Sequence, residues 1–332
     1  LNDLKFSIIV PVFNRPQETV ELLESLSQQQ YQNFEVIVVE DGSTEKSESL
    51  VKGFTSKINV EYFYKPNTGP GDSRNFGSAR ASGDYLVFFD SDCVIPSDYL
   101  FTVNQHLTNH PLVAYGGPDK AHADFSTLQT AINYSMTSFL TTGGIRGHAK
   151  DSDSFQPRSF NMGIQRQAFE QVGGFSNIHP GEDPDLAIRL RKLGLRTGLI
   201  PEAWVFHKRR TNLGSFAKQV YKFGIARSIL MKWHTQGKSW MFFAPSIALI
   251  CLVFMVIFGI FVPFFWWILP LIWLVIFVDA LFCTRNLAAS TVAIVTTMVQ
   301  ILGYGWGFLK GYWLLHIEDR NEREIFRSLF YH

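Results

Sequence analysis

Along residues 1 to about 205, short unbroken apolar runs alternate with segments whose apolar positions recur every three or four residues. That is the pattern of strands buried on both faces and of helices covering them. Phe6 to Phe13 reads FSIIVPVF, a strand; Asn14-Arg15-Pro16 then opens a helix, because proline is already set for a first helical turn. Val20, Leu23 and Leu26 give that helix a core-facing stripe. A second strand, Phe34 to Val39, runs into Glu40-Asp41-Gly42-Ser43, and a third, Val60 to Tyr64, leads to Asn67–Asn75, NTGPGDSRN. The fourth, Tyr85 to Phe89, breaks into Asp90-Ser91-Asp92. Further strands are expected at Leu112 to Tyr115, Leu195 to Ile200 and Ala203 to Phe206, the last ending in His207; helices are expected at Arg166 to Val172 and Leu186 to Leu193. Ala121 to Thr142 reads as ambiguous, with helix the leaning, and Gly143 to Pro157 as a polar loop. The order predicts an α/β domain built on a doubly wound, mostly parallel sheet with its loops loaded at the carboxyl ends of the strands.

The pattern changes after residue 206. Leu213, Phe216, Val220, Phe223, Ala226, Leu230 and Trp233 recur at helical spacing, which predicts an amphipathic helix in a headgroup region, with docking on the preceding domain as the alternative. Met241 to Val278 then runs 38 residues without a charge. As one helix it would be about 57 Å long against a bilayer core of roughly 30 Å, so a hairpin of two spans broken near Pro263 is expected. Ala288 to Leu315 holds Gly303, Gly305, Gly307 and Gly311, which invite close helix packing, and Lys310; three crossings are the expectation, a re-entrant segment the alternative. Asp279 is expected to snorkel or to lie on an acceptor path. The division predicted is 1–206, 207–239, 240–317 and a polar tail, 318–332.

Charge sharpens this picture. The net charge of +1 hides Lys208, Arg209, Arg210, Lys218, Lys222, Arg227, Lys232 and Lys238, a local excess of +8 with no acid between His207 and Ser239. Basic residues beside a span mark the cytoplasmic side and favour lipid headgroups over nucleic acid. Three cysteines, Cys93, Cys251 and Cys283, make no disulfide framework.

Candidate chemistry gathers in the strand-end loops. Asp90 and Asp92 offer hard oxygens suited to Mg²⁺ or Mn²⁺, although a polar turn closing a strand has the same composition. Asp41 is placed to accept hydrogen bonds from a base or ribose, or simply to form an Asp-Gly turn. Gly69, Gly71 and Arg74 make a flexible cationic approach to a diphosphate. Glu182, Asp183 and Asp185 lie at a helix start, where at least one is expected to cap the helix. A single His207 at a strand end is a structural residue or a ligand.

Taken in order, IIVPVFNR, EDGS, NTGPGDSRN, DSD, NMG (Asn161 to Gly163), GED (Gly181 to Asp183) and His207 resemble the large family 2 of inverting glycosyltransferases with a GT-A fold, over about residues 5 to 210. The resemblance implies a nucleotide and donor site at Pro11, Val12, Asn14, Asp41, Gly69, Arg74, Asp90, Ser91, Asn161, Met162 and Gly163. It implies metal contacts from Asp90, Asp92 and His207, and Asp183 as catalytic base with Glu182 beside it. The Q-x-x-R-W signature of processive synthases is absent; Arg209 and Arg210 stand nearby instead, as candidates for diphosphate or acceptor, and single-sugar transfer is expected. The implied protein is a bacterial inner-membrane enzyme with its catalytic domain in the cytosol. With a divalent cation, Mg²⁺ or Mn²⁺, it moves a sugar from a UDP-linked donor to a hydroxyl of a lipid-linked or membrane-associated acceptor. Its rivals are a polyprenyl-phosphate glycosyltransferase and a non-catalytic sugar-nucleotide binder.

Overall fold

The structure, a computed structural model, describes residues 3–120, 125–142, 155–234 and 240–331. Its contacts divide the chain into two compact units: Leu1–His122 with Lys150–Lys208 and Phe330–His332, and Ala123–Ala149 with Arg209–Leu329. The units therefore interleave along the chain, where the sequence pattern suggested consecutive blocks. Most of the expected polar loop, 143–154, lies outside the described residues.

The first unit is built on β1 (Phe6–Val12), α1 (Pro16–Ser27), β2 (Phe34–Asp41), α2 (Glu48–Lys52), β3 (Val60–Lys65), α3 (Pro70–Ser78), β4 (Tyr85–Phe89), β5 (Cys93–Val94), α4 (Tyr99–Asn109), β6 (Ala114–Gly116) and β7 (Asp119–Lys120). Its seven-stranded sheet runs β3-β2-β1-β4-β8-β6-β9, where β8 is Asn161–Gln165 and β9 is Thr197–Leu199. The first four strands are parallel; β8 is antiparallel to both its neighbours, and β6 pairs parallel with β9. Alternation along the strands sends Ile8, Val10, Val36, Val38, Val87 and Phe89 into one core and Ile9, Ile37, Val39, Leu86 and Phe88 into the other. That is why the runs are unbroken: each side chain of β4 is buried whichever way it points, and each large one stabilises the fold by roughly 1.5–3 kcal/mol.

Strand β8 departs from the expectation. NMGIQ shows no period, yet Gly163 is required because a Cβ there would meet the Tyr115 ring of β6. A second sheet, β5-β10-β7 with β10 at Val205–His207, sets His207 opposite Cys93 and so beside the end of β4.

The second unit gathers α5 (Thr127–Thr137), α6 (Phe139–Thr142), α9 (Leu213–Trp233), α10 (Ala244–Phe261), α11 (Phe265–Thr284) and α12 (Leu287–Tyr312); α7 (Arg166–Gln171) and α8 (Glu182–Lys192) belong to the first. Within the segment that read as ambiguous, α5 and α6 are helical, α5 with a capping box between Ser126 and Gln129, and residues 121–124 lie outside the described residues. Three helices, Met241–Phe261, Phe265–Thr284 and Leu287–Ile317, are long and apolar enough to cross a membrane. The turn between the first two falls at Pro263, as the length of the charge-free run requires.

Helix α9 is amphipathic, and much of its apolar stripe is packed inside this unit, on α12 and α5. The glycines of α12 allow it. Gly307 faces the carbonyl of Tyr221, and Gly224 faces the Tyr304 carbonyl and the Phe308 amide, so close that any Cβ would collide with backbone. Asp279 does not snorkel: its Oδ2 accepts hydrogen bonds from Tyr134 Oη (2.6 Å) and Ser138 Oγ (2.9 Å) on or beside α5.

Candidate active site

The loops after β1, β2, β3 and β4 end at one edge of the large sheet, and side-chain hydrogen bonds stitch them together. Asn14, held at φ +52°, donates its N–H to Ser43 Oγ (2.7 Å), and its Oδ1 accepts from Thr44 N (2.9 Å) and Glu45 N (3.2 Å). Asp41 accepts from Lys65 Nζ (2.6 Å), Thr68 N (3.0 Å) and Gly69 N (2.9 Å), so its carboxylate holds the loop after β3 against the end of β2. Buried Glu40 does the same for the loop after β2, through Ser43 and Ser47. Pro11 lies half-buried at this edge and Val12 in the core.

Arg74 is the hub. Only 3% exposed, its guanidinium donates to Asp90 Oδ1 (2.6 Å) and lies 3.4 Å from Glu182 Oε1. The carboxylate at the end of β4 and the one at the start of α8 are therefore bound to one cation, although 92 residues separate them in the chain. His179 Nδ1 adds a contact to Glu182 Oε1 at 2.8 Å. Burial would raise the Glu182 carboxyl, but His179 and Arg74 outweigh it and hold the group well below the usual carboxylate range. Asp183 goes the other way. Burial and the neighbouring Glu182 charge push it up to about 6, against the pull of Arg74 and Ser159. Its Oδ1 is buried with no hydrogen-bond partner among the described residues. Asp185, third of these carboxylates, is structural, its Oδ2 accepting from Arg189 Nε at 2.8 Å.

At the other end of Arg74, Asp90 and Asp92 meet His207. Nε2 of His207 is 3.3 Å from Asp92 Oδ1 and 3.8 Å from Asp90 Oδ2, and Arg15 donates to Asp92 Oδ2. Burial opposes the Asp92 charge, but His207 and Arg15 stabilise it more strongly, and the carboxyl sits far below its ordinary range. Ligand atoms of Asp92, Cys93 and His207 lie within 4.8 Å of one another. The Cys93 thiol is a poor ligand, since burial and the two aspartates raise its pKa well above normal and it donates to the Phe160 carbonyl (3.5 Å). Two carboxylates and an imidazole, with Asp92 Oδ1 buried and lacking a hydrogen bond among the described residues, fit a hard divalent cation.

Several predicted residues lie elsewhere. Asn161 is fully buried, accepting from Tyr99 Oη (2.5 Å) and donating to the Ala203 carbonyl (2.8 Å); Met162 packs in the core and Gly163 under Tyr115. They hold β8 in the sheet. Arg209 belongs to the helical unit, its guanidinium on Asn133 Oδ1 (2.8 and 3.0 Å), and Arg210 is exposed. Ser91 is buried beside the two aspartates. Arg15, Lys65 and His179 were missed as site residues; of these only Arg15, inside the first motif, carried a sequence signal.

A sequence model described as Glycosyl transferase family 2 matches residues 7–173. An uncharacterized glycosyltransferase of Rickettsia bellii is 46% identical over 92 residues, 28% of this chain and 13% of that protein, so the match covers a small part of the relative. Glycosyltransferase GlyG of Streptococcus pneumoniae is 26% identical over 68% of this chain and 76% of its own. Among solved structures, a mannosyltransferase from Pyrobaculum calidifontis in complex with GDP-Man and Mn²⁺ aligns with a TM-score of 0.57 at 16% identity, over 96% of this chain and 88% of that one. Residues 1–349 of TarS of Staphylococcus aureus with UDP-GlcNAc align with a TM-score of 0.52 at 17% identity, over 92% and 91%. These likenesses establish the fold, a GT-A-like mostly parallel α/β domain.

Proposed function

Because this chain belongs to glycosyl transferase family 2, we propose that it moves one sugar, with inversion, from a nucleotide-sugar donor, UDP-linked, to a hydroxyl of a lipid-linked or membrane-associated acceptor. The observation that carries the reading is Arg74, which joins Asp90 to Glu182, next to Asp183. A cleft for this reaction needs a cationic end for the departing diphosphate and an anionic base across the sugar. Arg74 and Arg15 supply positive charge at the first; Asp183 stands at the second. Its raised pKa of about 6 suits a group that must be ionised near neutrality yet basic enough to take a hydroxyl proton. Glu182, kept anionic by His179 and Arg74, maintains that raised value by repulsion. Asp90, Asp92 and His207 would hold Mg²⁺ or Mn²⁺, which supplies neutralisation of charge on the leaving group. The nucleoside would lie at Pro11, Asn14, Asp41 and Gly69. The TarS and mannosyltransferase complexes, with UDP-GlcNAc and with GDP-Man and Mn²⁺, support a nucleotide-sugar donor and a metal.

Asp183→Asn tests the reading. Loss of transfer by about a hundredfold or more, with UDP and Mn²⁺ binding kept in calorimetry, is expected. Retained turnover would mean an acceptor that is already a nucleophile, such as a polyprenyl phosphate.

The basic stretch 208–238 before the first apolar helix supports placing this cleft on the cytosolic side of a membrane, a bacterial inner membrane as the resemblance implies. We read two crossings, α10 and α11, rather than three. Tyr331 pairs with Asn177 of the sheet unit, and a chain that leaves that unit and returns to it crosses a bilayer an even number of times. Exposed Lys310 in α12 agrees. In a cysteine-free background, Ser97→Cys and Glu324→Cys should react with an impermeant maleimide from the same side; reaction from opposite sides would restore three crossings.

A further inference from the structure

Phe330 and Tyr331 belong to the sheet unit, although the chain reaches them only after the helical one. Phe330 is buried, while Tyr331 stays partly exposed. Asn177 clamps the backbone of Tyr331 in both directions: Tyr331 N–H donates to Asn177 Oδ1 at 2.9 Å, and Asn177 Nδ2 donates to the Tyr331 carbonyl. The ring lies flush on Gly69, where a Cβ would come under 3.0 Å from three ring carbons and where φ of +92° already favours glycine. Gly69 in turn donates its N–H to Asp41. His179 is a neighbour of the ring, centroids 6.3 Å apart and planes tilted by 46°. Burial, Glu182 and Asp41 all raise the phenol pKa, so Tyr331 stays neutral and lies within the field of both carboxylates.

We propose that Tyr331 is an aromatic wall of the nucleoside end of the donor site, offering a face on which the base of a nucleoside diphosphate stacks. The proposal rests on the donor reading of the cleft. Buried Phe330 already anchors the segment, so a second aromatic, fixed by an amide clamp yet left half open beside Asp41 and Gly69, has the chemistry of a stacking platform. Its position depends on chain that first passes through the apolar helices, so donor affinity and the seating of residues 330–331 are coupled.

Calorimetry on the full chain with Mn²⁺ tests this with two probes, UDP and inorganic pyrophosphate, because only UDP carries a base. Tyr331→Ala should weaken UDP about tenfold and leave pyrophosphate unchanged. Tyr331→Phe, which keeps the ring, should bind UDP like the wild type, and Asn177→Ala, which frees the backbone, should show part of the loss. Unchanged UDP affinity in Tyr331→Ala, equal loss for both probes, or tighter UDP binding would each overturn the wall; the last would mean that the ring blocks the seat. A wild-type protein that binds neither probe would instead overturn the donor reading itself.

Discussion

Asp183 in the sheet unit and Asp279 in the helical unit are both half-buried carboxylates, and they are treated in opposite ways. Asp279 is met by two hydroxyls, from Tyr134 and Ser138, on the oxygen it turns toward α5. Asp183, although bonded by Ser159, keeps a buried oxygen without a hydrogen bond among the described residues and sits beside a second carboxylate that raises its proton affinity. A paired group contributes to folding; an unpaired one costs stability and is retained where it reacts. If Asp183 is the base proposed above, the contrast separates a structural acid from a chemical one, a distinction that neither residue's sequence neighbourhood makes.

Acidification should break the contrast most sharply. With Asp183 at about 6 and its ionised form acting as base, kcat/KM should fall about tenfold per pH unit below that value. Asp183→Asn should remove this limb, and a profile flat down to pH 5 would exclude Asp183 as the base. Stability should show the same asymmetry on a smaller scale. Because the folded state raises the Asp183 pKa, it binds the proton more tightly than the unfolded chain does, so protonation favours the fold as pH drops through 6. Asp183→Asn should accordingly raise Tm at pH 7. Asp279→Ala, which strands two hydroxyls, should lower stability by about 1 kcal/mol with donor binding unchanged. Shifts of the same sign in thermal unfolding would erase the distinction.

Much of the fold was legible because buried parallel strands need unbroken apolar runs, and β1, β2, β3 and β4 have them. The pairing of Asp90, Asp92 and His207 was approached through their strand-end positions, which the second sheet then brings into contact. Strand β8 was not legible, since NMGIQ has neither period nor apolar continuity, and so neither was the burial of Asn161 and Met162 within the sheet. Nor was the fate of the α9 stripe, because a helix shows its apolar face in the sequence but not what covers it.

By itself the sequence determined the local elements, the apolar helices, the carboxyl-edge placement of the acids and the family, because periodicity and motif order are properties of neighbouring residues. Tertiary structure alone decided that Arg74 joins Asp90 to Glu182, that half-buried Asp183 sits beside a like charge, and that Tyr331 lies on Gly69. Proton affinity and contact depend on distance and dielectric, and these come into being only when remote segments close on one another.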